Sequence, residues 1–369
     1  MQSKKKVGPF VLYCIISDRY GKYRNLFIIN TMAKQQEIQH AYEIGYINEE
    51  DKLRIEEYNQ RLSENGVPII YNLRHLRKLL GIHKKEQEKL FGDKRNESYR
   101  TFQIPKKSGG VRTIEAPIEE LKKIQGWIKE EILDKFKPSE YAKGFKRGCS
   151  IYDNALPHVG KDMVMNIDLK DFFPSIHYSD IYSIFRYIGY TDGVSKLLTK
   201  LCTNAKNVLP QGSPASPALS NLVSLKLDKR LSSLAKKIEA NYTRYADDIT
   251  FSGNNNICKY EKLIRKIISE EGYEINENKF RVQPSFQRQE VTGLIVNTKV
   301  SVSEKLISEI ENALYYCNKY GVLNHMSHLK IDRGFYKEHL YGIAYFVKMV
   351  DYEKGSKYLS HLDQINWPL

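Results

Sequence analysis

Residues 241–253 read NYTRYADDITFSG. β-Branched and aromatic residues on both sides make two strands, and the turn between them carries two adjacent aspartates, Asp247 and Asp248. Aspartate favours turns because its carboxylate hydrogen-bonds nearby backbone, so an isolated pair needs no chemistry. A third acid changes that reading. Residues 163–176, MVMNIDLKDFFPSI, alternate so that Met163, Met165, Ile167 and Leu169 share one face while Asn166 and Asp168 point the other way. Asp168 therefore leaves the end of a strand, 79 residues before Asp247, in a chain that is otherwise basic. Three acids brought together in a basic protein call for a cation, and carboxylate oxygens suit a hard divalent ion such as Mg²⁺. Two such ions, about 3.5–4 Å apart, stabilise both oxygens of an in-line phosphoryl displacement, which points to nucleotidyl transfer.

The charge balance suggests a polyanionic partner. Lysine and arginine outnumber aspartate and glutamate by 58 to 44 in 369 residues. No long apolar span occurs, which favours nucleic acid over a membrane surface. The excess is uneven: residues 1–150 carry 30 basic against 20 acidic residues, and residues 301–369 carry eight of each. Cys14, Cys149, Cys202, Cys258 and Cys317 form no CxxC pair, so neither a zinc site nor a disulfide framework is indicated, and a reducing cytosol fits. The start has lysines before an apolar run, but Asp18 and Arg19 stand where a signal peptide needs small residues. A hairpin of VLYCIIS and NLFIIN around Gly21 is the better reading.

Polar helical stretches over 33–63 end at Asn65-Gly66 and Pro68, which makes residues 1–68 an extension of unknown role. Leu73, Leu76, Leu79 and Leu80 then recur at helical spacing, and a second short helix reaches Phe91. TFQIPKKSGGVRTIEAP, residues 101–117, reads as two strands around a basic glycine-rich tip. Taken alone, that tip is either a solvated loop or a lid whose lysines and Arg112 meet phosphates. Ile181, Ile184, Phe185 and Ile188 fit a helix capped by Ser179 or Asp180. Residues 209–231, LPQGSPASPALSNLVSLKLDKRL, pass from a turn into a helix with Leu219, Leu222, Val223, Leu227 and Leu231 on one side. KYEKLIRKIISEEG is a further helix, with Leu263, Ile264, Ile267 and Ile268 inward and Gly272 as its stop.

These blocks resemble the reverse transcriptase family over residues 100–297: IPKKSGGVR, NIDLKDFFPSI, LPQGSPASP, YADD, Asn278-Lys279 and VTGLIVN occur in the family's order. The resemblance implies an α+β right-hand polymerase fold, with fingers over 69–160, a palm with interleaved fingers segments over 161–299, and a helical thumb over 300–369. It implies that Asp168, Asp247 and Asp248 hold two Mg²⁺ ions, and that Lys279 protonates the leaving pyrophosphate. Lys106, Lys107 and Arg112 would meet the dNTP triphosphate, and Gln211 and Gly212 would border the nucleotide and template. Phe173 would lie under the sugar and exclude a 2′-hydroxyl.

NALPH (154–158) and VTG (291–293) match the NAxxH and VTG blocks of retron reverse transcriptases, and QGWI (125–128) is similar too. On that resemblance Asn154, His158, Val291, Thr292 and Gly293 are assigned to RNA recognition. The implied activity starts from a guanosine 2′-hydroxyl in a cognate structured non-coding RNA, which is both template and primer. Its product is branched, RNA-linked single-stranded DNA (msDNA). The implied setting is the bacterial cytoplasm and antiphage defence, with a separate effector chain, because no toxin or nuclease signature follows the thumb. The neutral thumb would read an RNA stem-loop by shape and aromatic contacts, from among Tyr315, Tyr316, Phe335, Tyr336, Tyr341 and Tyr345. A group II intron-like or other bacterial reverse transcriptase is the nearest alternative, and a catalytically silent RNA-binding scaffold the alternative from another class.

Overall fold

The structure, a computed structural model, describes residues 38–43, 45, 47–105, 110–330 and 334–367. The N-terminal hairpin expected from the sequence lies outside the described residues, and so do Lys106 and Lys107. The chain divides into two compact units after Tyr71. In the first, helix α1 (Glu49–Glu64) begins where the Asn48 side chain accepts from the Asp51 amide at 2.7 Å. Three acids in its first turn suit the positive end of the helix dipole. Gly66, at φ 65°, follows its end, and Tyr58 donates to the Ile70 carbonyl at 2.6 Å.

The second unit begins with α2 (Leu73–Leu80) and α3 (Gln87–Phe91), followed by the antiparallel hairpin β1 (Tyr99–Pro105) and β2 (Val111–Pro117). Helices α4 (Glu119–Glu131) and α5 (Ile151–Ala155) lead to β3 (Met163–Asp168). Then come α6 (Tyr178–Ile188), α7 (Asp192–Cys202), α8 (Ser216–Val223) and α9 (Leu225–Lys237). Strands β4 (Asn241–Tyr245) and β5 (Asp248–Gly253) form the aspartate hairpin, and α10 (Glu261–Glu270) and β6 (Arg281–Pro284) follow. The four long strands make one antiparallel sheet in the order β4-β5-β3-β6. This is the α+β architecture of a right-hand polymerase, whose palm is an antiparallel sheet backed by helices.

Strand β3 is central, and apolar residues on both its faces are buried, including Val164 and Met165. Val164, Asn166 and Asp168 form one row along it. Val164 belongs to an apolar cluster with Val291, Leu294, Ile310, Leu340 and Leu362. That cluster continues from the short hairpin β7 (Glu290–Val291) and β8 (Leu294–Ile295) into α11 (Glu304–Tyr320), α12 (Val322–His328), α13 (Tyr336–Val350) and α14 (Tyr352–Asp363). The row therefore starts against apolar packing and ends at the acid.

Three local expectations are corrected. The helix expected across 217–231 is two helices that meet at Ser224, where ψ is 2° and the hydroxyl pairs with that of Tyr273 at 3.1 Å. Leu263 is exposed, since the buried stripe of α10 is Ile264, Ile267 and Ile268. Helix α6 is capped by His177, whose amide donates to Asp180 at 2.8 Å, so Asp180 is the third helical residue rather than the cap. The four described cysteines carry free thiols. No helix among the described residues is long and apolar enough to cross a membrane.

Candidate active site

The turn between β4 and β5 holds only Ala246 and Asp247, because Tyr245 pairs directly with Asp248. Ala246 sits at φ 57°, a left-handed conformation that costs a non-glycine residue about 1 kcal/mol. A buried network holds it there. Arg244 donates through Nη1 to the Ala246 carbonyl at 3.1 Å, and its guanidinium grips Asp228 with two bonds of 2.7 and 2.8 Å. Asn221 accepts from Arg244 at 3.2 Å and donates to the Gly144 carbonyl at 3.0 Å. A Cβ on Gly144 would lie 2.6 Å from the Ala246 nitrogen, so only glycine lets that loop approach the turn.

The turn is also tied to β3. The Leu169 amide donates to the Asp247 carbonyl at 2.9 Å, and Asp168 stands opposite Asp248 in the β3-β5 pair. All three acids thus occupy one end of the sheet. Asp168 is buried and both of its oxygens are engaged: Asn276 donates to Oδ1 at 2.9 Å and Lys279 to Oδ2 at 2.8 Å. The Asn276 amide also donates to the Asp168 carbonyl at 2.8 Å, which fixes the 276–279 turn beneath the acid.

Crowding leaves its mark on protonation. Burial, and then the charges of Asp247 and Asp168, push Asp248 up to about 7, although the residue reaches solvent at the cleft mouth. Burial also raises Asp247, with Asp168 adding to the rise and Lys279 and Arg112 opposing it. Burial works against the charge on Lys279, but the hydrogen bond to Asp168 and the three carboxylates prevail and raise its pKa.

Among the described residues no three His, Cys, Asp or Glu side chains already stand together as an ion cage. The three-acid convergence expected from the sequence is therefore a shared strand end, with Lys279 supplying the positive charge at Asp168. The donor set still fits a hard divalent cation: it is all carboxylate oxygen, and burial and mutual repulsion raise two of its members from their ordinary value. A cleft of about 590 Å³ opens here, lined by Asp168, Asp248, Lys279, Asn166, Arg281 and Thr292 among others.

On the hairpin side, Arg112 of β2 is near enough for its charge to act on Asp247. The Gln211 carbonyl accepts from the Glu115 amide at 2.9 Å, pinning the Gln211-Gly212 turn to β2. Gly212 has φ 134°, and a Cβ there would lie 2.9 Å from the Glu115 carbonyl oxygen. Its close approach is thus to the hairpin strand, a neighbour the sequence did not suggest. Phe172 is core, packed on Tyr273, whereas Phe173 is half-buried with its ring 5.9 Å from that of the exposed Phe145.

The residues assigned to RNA recognition divide. Asn154, His158 and Val291 are fully buried, so they cannot present side chains to RNA. His158 bridges Ser252 at 2.7 Å and Thr243 at 2.8 Å, stapling β5 to β4 behind the aspartates. Burial drives its pKa down to about 3, which keeps the imidazole neutral. Asn154 donates to the Thr292 hydroxyl at 3.4 Å, so the NAxxH and VTG blocks meet each other. Thr292 (φ 46°) and Gly293 (φ 86°) form the two-residue turn of the β7-β8 hairpin, where positive φ at both positions matches the strand twist. These two line the cleft.

Sequence reasoning missed Asn276 and the Arg244-Asp228-Asn221 network. Its signal was present: Arg244 shares a strand face with the buried Tyr242, and Asp228 shares a helical stripe with Leu231 and Ala235. Charges placed inward on both elements require each other.

Residues 104–297 match the family model described as reverse transcriptase (RNA-dependent DNA polymerase). The chain is similar to the retron Ec86 reverse transcriptase of Escherichia coli, 37% identical over 273 residues that span 72% of this chain and 85% of that protein. It is also similar to the retron Mx65 reverse transcriptase of Myxococcus xanthus, 36% identical over 278 residues, 70% of this chain and 63% of the relative. The retron Mx162 reverse transcriptase of the same organism is 33% identical over 302 residues, 72% of this chain and 61% of the relative.

Proposed function

Because the chain belongs to the reverse transcriptase family and, within it, to the bacterial retron enzymes, RNA-directed DNA polymerases, we propose that it copies a cognate structured non-coding RNA into RNA-linked single-stranded DNA. Synthesis starts from a guanosine 2′-hydroxyl of that RNA and consumes dNTPs. The observation that carries the site assignment is the placement of Asp168, Asp247 and Asp248 at one sheet end, where Asp168 and Asp248 line a cleft with Lys279.

Asp168, Asp247 and Asp248 would hold two Mg²⁺ ions. The chemistry such ions supply when bound is activation of the attacking hydroxyl and charge neutralisation on the triphosphate. Arg112, with Lys106 and Lys107 of the same hairpin, holds the triphosphate of the entering dNTP. Phe173 walls the sugar site against a 2′-hydroxyl, and Phe145 braces its ring. Gln211 and Gly212, pinned to β2, border the nucleotide and template. Lys279, kept protonated by Asp168, carries the proton that leaves with pyrophosphate. Asn154, His158 and Val291 act from inside the fold by holding the aspartate hairpin and the Thr292-Gly293 turn in place. The thumb over 300–369 receives an RNA stem-loop. A separate effector protein, a role in antiphage defence and a bacterial cytoplasmic setting complete the reading, with residues 1–68 as an extension to the fingers, palm and thumb.

Asp247→Asn with Asp248→Asn should abolish Mg²⁺-dependent incorporation of labelled dNTP while co-purifying RNA is retained. Undiminished synthesis by that double variant would overturn the site.

A further inference from the structure

Two cations line the cleft beside the acids, and they differ. Lys279 is paired with Asp168 at 2.8 Å, whereas among the described residues no carboxylate stands within ion-pair reach of Arg281. Arg281 opens β6 opposite Asn166 of β3, so its exposed side chain leaves the sheet on the face of Asn166 and, two residues on, of Asp168. The polar groups around it are already matched. Thr250 donates to Asn166 Oδ1 at 3.3 Å, and Asn166 donates to the Gln283 side chain at 2.9 Å and to the Glu290 carbonyl at 3.1 Å. The Glu290 carboxylate is taken by Arg288 at 2.9 Å. An unpaired guanidinium therefore stands in the cleft on the face that carries the acids.

The side on which it stands bears on the reaction. In-line displacement puts the attacking hydroxyl and the leaving pyrophosphate on opposite sides of the α-phosphorus. Arg112, assigned to the triphosphate, does not line this cleft and its charge acts on Asp247, whereas that of Arg281 acts on Asp248. The cleft is thus the side of the attacking strand. Attack by a guanosine 2′-hydroxyl makes a particular demand there. The 2′-oxygen bonds to the α-phosphorus of the dNTP, the bond from that phosphorus to pyrophosphate breaks, the hydroxyl proton passes to water and Lys279 protonates the pyrophosphate. Throughout, the neighbouring 3′-oxygen stays esterified to the phosphate that continues the RNA. An ordinary primer ends in a free 3′-hydroxyl and carries no phosphate at that point. The additional anion lies beside Asp168 and Asp248, whose like charge repels it, so a branch-forming site needs a cation that a primer-extending site does not.

We propose that Arg281 binds the 3′-phosphodiester of the priming guanosine, and so selects a 2′-hydroxyl within a continuous RNA as the starting point of DNA synthesis. The proposal rests on the reading that synthesis begins at such a hydroxyl. A guanidinium suits the task, because its fork matches two phosphate oxygens and it stays charged beside the acids. The cleft, of about 590 Å³, leaves room for the RNA to continue past the branch.

The test compares two reactions of the full chain: DNA synthesis begun on its own RNA, and extension of a DNA primer annealed to an RNA template. Arg281→Gln should lower the first relative to the second by about tenfold to a hundredfold, the worth of a charge-assisted hydrogen bond. Arg281→Lys should recover part of that loss, since it keeps the charge without the fork. A second arm removes the phosphate instead of the arginine. The RNA is supplied in two pieces, the first ending in 3′-deoxyguanosine at the priming position, so that the 2′-hydroxyl remains. On this substrate the wild type should lose its advantage over Arg281→Gln. Equal loss in both reactions, no loss in the first, or an advantage that persists without the phosphate would overturn the proposal. Debranching separates the two readings. Wild-type product that it does not release removes the functional reading and the proposal with it, whereas released product made equally by Arg281→Gln removes the proposal alone.

Discussion

Behind the aspartate turn, Asp228 is sealed from solvent with both oxygens taken by Arg244 and a third bond from Tyr242 at 2.7 Å. At the turn itself, Asp247 and Asp248 share a sheet end with Asp168, opposed by Lys279 and by the more distant Arg112 and Arg281. One region matches every buried charge, and the other leaves like charges crowded. Matched burial makes a scaffold that is costly to break, whereas crowded carboxylates make a site that waits for positive charge. Arg244 joins the two, since the same guanidinium that satisfies Asp228 also holds the Ala246 carbonyl beside Asp247.

The contrast breaks most visibly on the matched side. Asp228→Asn leaves Arg244 buried without its counter-charge and should lower unfolding free energy by about 3–5 kcal/mol in chemical denaturation. Replacing both partners, Arg244→Met with Asp228→Leu, should restore much of that stability yet still reduce turnover, because the Ala246 carbonyl has lost its donor. On the crowded side, Lys279→Gln should lower turnover by about a hundredfold with RNA affinity unchanged, as expected for loss of a general acid. Phe173→Ala should raise ribonucleotide incorporation by about tenfold in competition assays, by removing the wall beside the 2′ position. An unchanged dNTP preference would remove its steric role.

The smallest effect has the opposite sign to that of Asp228→Asn. Asp248 is held at about 7, above the ordinary carboxylate value, so its protonated form favours folding. That contribution is full below the unfolded pKa and is lost as pH rises through about 7 in metal-free protein. Asp248→Asn should therefore raise the melting temperature above that pH and leave it unchanged in acid. Mg²⁺ should stabilise the wild type more than the variant in the same range.

The sequence made the strand-turn-strand of YADD and the strand ending in Asp168 legible, because alternation of apolar residues survives even where both faces of β3 are covered. It also placed Lys279 at the site, where the structure finds it on Asp168. Burial was not legible. NAxxH looked like a recognition motif, but His158 lies between two strands whose register only the fold sets. The stacking of Tyr316 on His325 could not be read either, because it joins two helices across the turn at Gly321. The junction at Ser224 was not legible, because the apolar periodicity of Leu219, Leu222, Leu227 and Leu231 runs through it unbroken.

The central claim is tested most directly on protein purified with its own RNA, supplied with Mg²⁺ and labelled dNTPs, with the product analysed before and after a 2′,5′-debranching enzyme. The expected result is labelled DNA joined to RNA, released by debranching and absent from the Asp247→Asn, Asp248→Asn variant. Labelled DNA of unchanged mobility after debranching, or equal product from that variant, would contradict it.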